Sequence, residues 1–506
     1  MTFLLALDVG TTSVKAGLFK PDGRCLATAL QEYALISKSP EQAELEPITY
    51  WKAAAETIRQ VVAKAEVDVT QVVGLAVSSQ GETTIAVDAE GNPLRNALVW
   101  LDNRATRQAE KLKGILGAEV YERTGIPDVV ATWPACKVLW IKENEPQLLA
   151  RAAKFLLVQD YLVQRMTGYY VTDGSISCTT LFYDIISHEW WSEALQAVGI
   201  DTTYLPELLP VGSVAGNLTP KAAAELGLTV QTKVVLGGMD QSVGAIGAGN
   251  IGAGVISETT GAALAIQVSI HEPMIDKMKQ TPVYVHSVPN EYLFVTVCPT
   301  AGMAFKWFKD QFGGEETAQA ARDGSNAYEL LNRLAESVPP GSDGLIMLPH
   351  LMGAFSPEIN PVARGVFSGF TLHHGKGHFV RAIQEGVAFM VRRNLELIEG
   401  SGVEIEEVRT TGGGSRGRLW NQIKADVCNR PFVTLLNEDT ALVGDAILAG
   451  VACGVFASAA EGVASMVRLN EKITPGKNVS AYQEAYQRYC DLDGSLADYF
   501  RRNYSS

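Results

Sequence analysis

Residues 3–30, FLLALDVGTTSVKAGLFKPDGRCLATAL, read as strand, polar Gly-Thr turn, strand, Asp-Gly turn and strand. The first turn, Gly10-Thr11-Thr12, follows Asp8 and precedes Ser13 and Lys15. Glycine there allows close backbone approach, and threonine hydroxyls with turn N–H groups can point at phosphate oxygens. An Asp at the strand end can hold a hydrated Mg²⁺. An ordinary hairpin uses the same residue types, so both readings stand at this point.

Beyond this hairpin the pattern predicts a helix over about 47–65 and an apolar strand, VVGLAVSS, that stops at Gln80. Residues 131–170 read as helical. A composition break at 237–254, GGMDQSVGAIGAGNIGAG, marks the main domain boundary. Immediately after it, AGVISETTGAALAIQV (253–268) repeats the opening plan of apolar strand, Thr-Thr turn and apolar strand. Residues 380–400 form a long helix ending in Gly400, 406–454 a strand-turn-helix-strand-helix unit, and 481–499 a surface helix. The apolar stretch 446–460 is too short to span a bilayer and reads as a buried helix.

The chain has 506 residues, more than the roughly 250–300 one hydrophobic core usually fills, so two or three domains are expected. Hydrophobic residues make up 47% and charged residues 19%, a profile of a large α/β enzyme rather than a disordered chain. The net charge of −14 without a basic run argues against nucleic-acid or anionic-membrane partners. Any phosphate is then held mostly by backbone N–H groups and a metal. Seven scattered cysteines without a CxxC pair, and no basic start before the apolar run, read as reduced thiols in a cytoplasmic protein.

Two segments satisfy GxGxxG. Gly247–Gly252 reads as a hinge. Gly412–Gly417, GGGSRG, follows a strand, opens a helix, and has Glu438 and Asp439 past the next strand. That is close to a dinucleotide fingerprint, so a nicotinamide dehydrogenase is the rival from another class. The same turn can cradle an adenosine, and the rival leaves both Thr-Thr hairpins unexplained. Asp240 sits at the end of the strand VVLGG beside glycines, placed either to face a cleft or to cap the following helix. His373, His374 and His378 in HHGKGH read as a solvated loop rather than a metal site.

Together these segments resemble the FGGY family of carbohydrate kinases over almost the whole chain and in the family's order. DVGTTSVKA resembles the first phosphate hairpin, and TWPACKVLWIKEN (132–144) and GVFSGFTLHHGKGHFVRAIQE (365–385) the two signatures. GGGSRGRLWNQIKAD is similar to the adenosine motif of the xylulokinase and gluconokinase branches. The resemblance implies an α/β fold of two ribonuclease-H-like, actin/hexokinase-type domains, with ATP and sugar in the cleft between them. The expected limits are 1–247 and 248–475, followed by a helical tail at 476–506. It implies transfer of the γ-phosphoryl of ATP, with Mg²⁺, to a sugar or polyol hydroxyl. Asp240 is then the catalytic base, Asp8 organises Mg²⁺, and Thr11, Thr12, Ser13 and Lys15 serve the phosphates. Thr259, Thr260, Gly302, Gly413 and Gly414 complete the nucleotide set. One departure matters: Glu258 replaces the glycine that usually opens the second hairpin, and a carboxylate there is unfavourable unless it turns away or binds the metal.

For the acceptor, SSQGETTIAVD aligns with the family's sugar-contacting turn, giving Gln80, Gly81, Glu82, Trp100, Asp102, Asp240 and Gln241 as substrate contacts. Thr83 and Thr84 after Glu82 resemble glycerol kinases, but the arginine before it is missing, and Gly81 is expected to open space for a larger substrate. A xylulose-like ketopentose is therefore expected first, with glycerol or erythritol as the alternative. A non-catalytic sugar sensor on this fold needs an output module, for which no room is expected before the first strand. The only further partner expected is a second copy, in a homodimer.

Overall fold

The computed structural model describes residues 2–273 and 280–504. It divides into two compact units: Met1–Gly252 with Ser269–Phe294 and Asp439–Arg468, and Ala253–Val268 with Val295–Glu438 and Leu469–Ser506. The units are thus interleaved in sequence. Segment 439–468, expected with the second domain, packs in the first unit, because its helix carries a buried apolar face that the first sheet covers. Among the described residues, no helix is long and apolar enough to cross a membrane.

The first unit is built on β1 (Phe3–Val9), β2 (Ser13–Phe19), β3 (Cys25–Glu32), β4 (Val72–Ser79), β5 (Val214–Asn217) and β6 (Lys233–Met239). Their order across the sheet is β5-β6-β4-β1-β2-β3. β1 runs antiparallel to β2 and parallel to β4, and β4 runs parallel to β6. β1 is buried along nearly its whole length, as a central strand covered on both faces must be.

One face carries α1 (Pro47–Ala65), whose first-turn proline suits the helix start. That core joins Leu5, Leu7, Tyr50 and Ile58 to residues of α3 (Val158–Thr167), which follows α2 (Pro134–Asn144) in the chain. On the other face lie α4 (Asp240–Gly247) and α7 (Thr440–Ala452), packed on Leu4, Ala6 and Ala76. The expected single helical region at 131–170 is broken by a short strand at Lys154–Leu156.

The second unit repeats the plan. Its strands β7 (Gly254–Thr260), β8 (Leu264–Ile270), β9 (Tyr292–Cys298), β10 (Ile405–Thr411), β11 (Phe432–Leu435) and β12 (Leu469–Ile473) are ordered β9-β8-β7-β10-β11-β12. β7 pairs antiparallel with β8 and parallel with β10, as β1 does with β2 and β4. The short internal resemblance between the two Thr-Thr segments is therefore a repeat of structure. The antiparallel pairing of β8 inside this sheet departs from the mostly parallel order of a dinucleotide fold and counts against the dehydrogenase rival. Its helices include α5 (Lys376–Gly400), α6 (Arg418–Cys428) and α8 (Val479–Tyr504). The tail helix is anchored by Tyr482, Tyr486 and Tyr489 around Phe389.

Candidate active site

Parallel strands of the first unit bring Asp8 beside Ser78, and the hairpin pairing puts Lys15 opposite Asp8. The turn between β1 and β2 is held shut: Gly10 N donates to Ser13 O at 2.9 Å, and the Tyr33 hydroxyl donates to Gly10 O at 2.5 Å. Thr12 is exposed at its tip. Thr11 Oγ1 accepts from the Trp100 indole at 2.8 Å, tying this hairpin to the loop that carries the expected sugar contacts. Lys15 is ion-paired with Asp439, the residue before α7.

Burial raises the Asp8 carboxyl to about 6, with Lys15 opposing and Asp439 adding to the rise. Its Oδ1 is buried without a hydrogen-bond partner among the described residues. Nearby, Asp445 of α7 is fully buried and accepts from Ser78 Oγ at 2.7 Å through Oδ2, while its Oδ1 also lacks a partner. Burial and the Asp8 charge push the Asp445 carboxyl well above its ordinary range. Two buried carboxyls with unpartnered oxygens suit a hydrated divalent cation, whose charge would favour their ionised forms. Asp445 was not legible in the sequence, where it lies inside an apolar helix.

Asp240 is the first residue of α4, and the cap position is Met239. Its Oδ1 accepts from the adjacent Gln241 N–H at 2.7 Å. The chain reaches this point through Gly238 at φ +102°, where a Cβ would lie 2.0 Å from Ser175 Oγ, so a side chain is excluded both conformationally and sterically. Burial, then the Asp8 charge and more weakly Glu82, raise the Asp240 carboxyl to about 8. It is a far stronger base than an ordinary carboxylate of about 3.9. Gln241 points to the exposed side of the same turn.

The turn after β4 differs from expectation. Gly81 does not open space: a Cβ there would meet Thr179 Cγ2 at 2.9 Å, so the buried Thr179 fills the volume. Thr179 Oγ1 also accepts from Glu82 N at 3.3 Å. Glu82 adopts a left-handed backbone, φ +55°, which costs a non-glycine residue about 1 kcal/mol or more. Burial raises its carboxyl, with Lys137 opposing. Thr83 Oγ1 accepts from Trp100 N at 3.2 Å and the main chain of Thr84 is bridged to Leu98, so this turn is tied to the Trp100 loop. Gln80 donates to the Tyr50 hydroxyl at 3.1 Å.

Asp102 is fully buried, and its oxygens accept from Ala43 N at 2.8 Å and from the Arg104 guanidinium at 2.7 and 2.8 Å. It braces the loop instead of offering a free carboxylate. Tyr284 was missed by the sequence reading. Burial, with the Glu82 charge second, keeps its phenol far from ionising.

In the second unit, Thr259 and Thr260 end β7 and do not sit in the turn, which is Gly261–Ala263. Strand alternation sends Glu258 and Thr260 to one side and Thr259 to the other. Glu258 turns inward and pairs with Lys424 of α6 at 3.0 Å, and Thr410 Oγ1 donates to it at 2.5 Å. Thr260 Oγ1 joins the same cluster, 2.8 Å from Lys424 Nζ, so its hydroxyl is taken up internally. Thr259 Oγ1 lies 2.8 Å from Thr411 Oγ1. A Cβ on Gly302 would meet Gly261 O at 2.4 Å, and one on Gly414 would meet Thr260 Cγ2 at 2.4 Å. Gly413 alone of this motif pair faces open space, where a Cβ meets nothing within 4 Å.

The HHGKGH segment is a helix cap. His378 Nδ1 accepts from Gly375 N at 3.1 Å and His374 Nδ1 from Thr371 N at 2.9 Å. Each neutral ring then carries its proton on Nε2, and His378 donates it to Asp343 at 3.2 Å. His373, His378 and Asp343 are close enough to frame an ion, but His378 has no free lone pair for one.

Residues 3–247 match the model of the FGGY family of carbohydrate kinases, N-terminal domain, and residues 260–453 that of its C-terminal domain. The chain is 30% identical over 493 residues to a xylulose kinase of Bacillus subtilis, covering 97% of each chain. It is 29% identical over 477 residues to a gluconokinase of the same organism, covering 94% of this chain and 92% of that one. A ligand-bound xylulose kinase structure from Lactobacillus acidophilus superposes with a TM-score of 0.90 at 25% identity, covering 99% and 100% of the two chains.

Proposed function

Because this chain belongs to the FGGY family of carbohydrate kinases, phosphotransferases that use ATP as donor, we propose that its acceptor is a neutral sugar, a xylulose-like ketopentose. The supporting observation is the charge at the acceptor end of the first unit. Asp8 and, more weakly, Glu82 raise the Asp240 carboxyl, while the Lys137 ammonium beside Glu82 is turned to backbone carbonyls. Such a setting repels the carboxylate of a gluconate and suits hydroxyls, which donate to carboxylates. Polyols of the glycerol or erythritol type share that chemistry. Of the threonine pair that favoured them, Thr83 is engaged in holding the Trp100 loop, which weakens that alternative.

On this proposal Asp240 accepts the proton of the attacking hydroxyl late in a loose transition state, its ionised form favoured once a cation neutralises the neighbouring Asp8. Glu82 accepts from a second hydroxyl, and Trp100 supplies an apolar face for the sugar. Asp8 and Asp445 would hold hydrated Mg²⁺, which supplies charge neutralisation for the phosphates. The Thr11–Thr12 turn offers N–H and hydroxyl donors to phosphate oxygens. In the second unit, Gly413 leaves room for the adenosine, and the Gly261 turn, packed on Gly302, would face the phosphates.

An ADP-release assay over D-xylulose, D-ribulose, gluconate, erythritol and glycerol tests this reading. The highest kcat/KM is expected for D-xylulose. Gluconate as the best acceptor overturns it.

A further inference from the structure

Lys137 lies on α2, far in sequence from the turn that carries Glu82, yet its ammonium is fully buried against that turn. Its Nζ donates to Glu82 O at 2.8 Å and to Val99 O at 3.0 Å. The first carbonyl belongs to a residue in a left-handed conformation, the second to the residue before Trp100. One cation therefore ties together the two loops that present Glu82 and Trp100. A buried ammonium is expensive unless its donors are engaged, and replacing such a group with an apolar one of similar length removes both ties at once.

The neighbourhood explains why carbonyls and not a carboxylate take this charge. Asp102 is occupied by Arg104 and Ala43 N, and no ion pair joins Glu82 to Lys137 among the described residues. The Glu82 carboxylate is thus left to face elsewhere while its own backbone is pinned. Thr179 Oγ1 holds the N–H side of Glu82 and Lys137 the carbonyl side, so the strained residue is clamped from both ends. Strain of this kind persists only where surrounding contacts over-determine it.

We propose that Lys137 is a positioning residue for the acceptor site: its ammonium holds Glu82 in the left-handed conformation and keeps the Trp100 loop in register with it, so that acceptor affinity depends on a side chain that does not touch the sugar. This rests on the assignment of Glu82 and Trp100 to the acceptor site.

The test uses the full-length chain with Lys137→Met, Lys137→Ala and Glu82→Ala. Hydrogen exchange is followed at the amides of Glu82, Thr83 and Trp100. Acceptor KM and ATP KM are measured with whichever of the five sugars above turns over fastest. Lys137→Met is expected to speed exchange at these amides at least tenfold and raise acceptor KM at least tenfold, with ATP KM changed less than twofold. If Lys137→Met does not fold, Lys137→Ala in ethylammonium chloride supplies the ammonium from solution, and slower exchange at the same amides with added amine is expected. Unchanged exchange and unchanged acceptor KM in a folded variant overturn the proposal, as does exchange that the amine leaves unaltered. If Glu82→Ala leaves acceptor KM intact while Lys137→Met still speeds exchange at both loops, the acceptor-site assignment fails and the loop-holding role of Lys137 stands.

Discussion

Glu258 and Lys424 form an ion pair at 3.0 Å in which neither side chain has any exposure. It joins the end of β7 to α6, and Thr260 and Thr410 complete its hydrogen bonds. The acidic residue at a hairpin expected to meet phosphates is thereby turned away from them. Removing one partner of such a pair leaves an uncompensated buried charge, at a cost of about 3–5 kcal/mol. Glu258→Gln and Lys424→Met are each expected to lower the urea midpoint markedly. The double variant Glu258→Gln/Lys424→Met should recover most of the loss, since a neutral pair is often no less stable. A double variant as unstable as the sum of the singles would show that the residues act independently.

Asp240→Asn is expected to lower kcat by about 10²-fold or more, the scale a positioned general base usually supplies. Its main-chain surroundings stay intact, because Asn can still accept from the Gln241 N–H. ADP affinity by calorimetry should change little. A variant that keeps half the parent rate excludes Asp240 as the base.

Gly413 and Gly414 separate nucleotide contact from packing. Valine at 414 must displace Thr260, whereas valine at 413 meets only open space. Gly413→Val is therefore expected to fold with a nearly unchanged Tm and to lose ADP affinity at least tenfold. Gly414→Val should lower Tm in the absence of nucleotide. Normal ADP binding by Gly413→Val removes the adenosine from this loop. Neither NAD nor NADP is expected to bind the parent chain.

Stability should fall as pH rises from about 5 to 8 when no divalent cation is present. Asp8 at about 6, Asp160 at about 7 and Asp240 at about 8 all bind protons more tightly folded than unfolded, chiefly through burial. Each therefore loses stabilisation as it ionises in the native state. The buried Lys137 ammonium, pushed down, runs the other way, and the raised Glu82 beside it offsets that single group. Scanning calorimetry should give a higher Tm at pH 6 than at pH 8. Added MgCl₂ should recover more at pH 8, where the carboxylates are ionised. A Tm that climbs from pH 6 to 8 without metal contradicts the burial of these groups.

Gly81→Ala should raise acceptor KM, because the new methyl presses on Thr179 2.9 Å away and disturbs Glu82 behind it. Gly81→Ala/Thr179→Ala removes the clash and should restore part of the affinity. Glu82→Ala is expected to lower kcat/KM by roughly 5- to 150-fold, corresponding to about 1–3 kcal/mol for an unpaired hydroxyl partner. Equal KM values for Gly81→Ala and its double variant would mean that Thr179 does not set this turn.

The repeated strand-hairpin-strand plan, the helices at 47–65 and 380–400 (the latter starting at Lys376 in the structure), the Gly-rich turn at 412–417 and Asp240 at a strand end were all legible in the chain. Each is written in a local pattern: apolar runs, a helical period, or glycine where the backbone turns. The partners of the buried polar groups are not local. Lys137 meets Glu82 across 55 residues, Glu82 meets Thr179 across 97, and Lys424 meets Glu258 across 166. Asp445 meets Ser78 across 367. No periodicity records such pairings, because they depend on which helix covers which strand. Nor could spacing reveal that a threonine elsewhere occupies the room beside Gly81, or that strand alternation turns Glu258 and Thr260 inward. Packing assigned those groups to bracing or to chemistry: Glu258, Lys137 and Asp102 found partners inside, while Asp8 and Asp445 keep unpartnered oxygens.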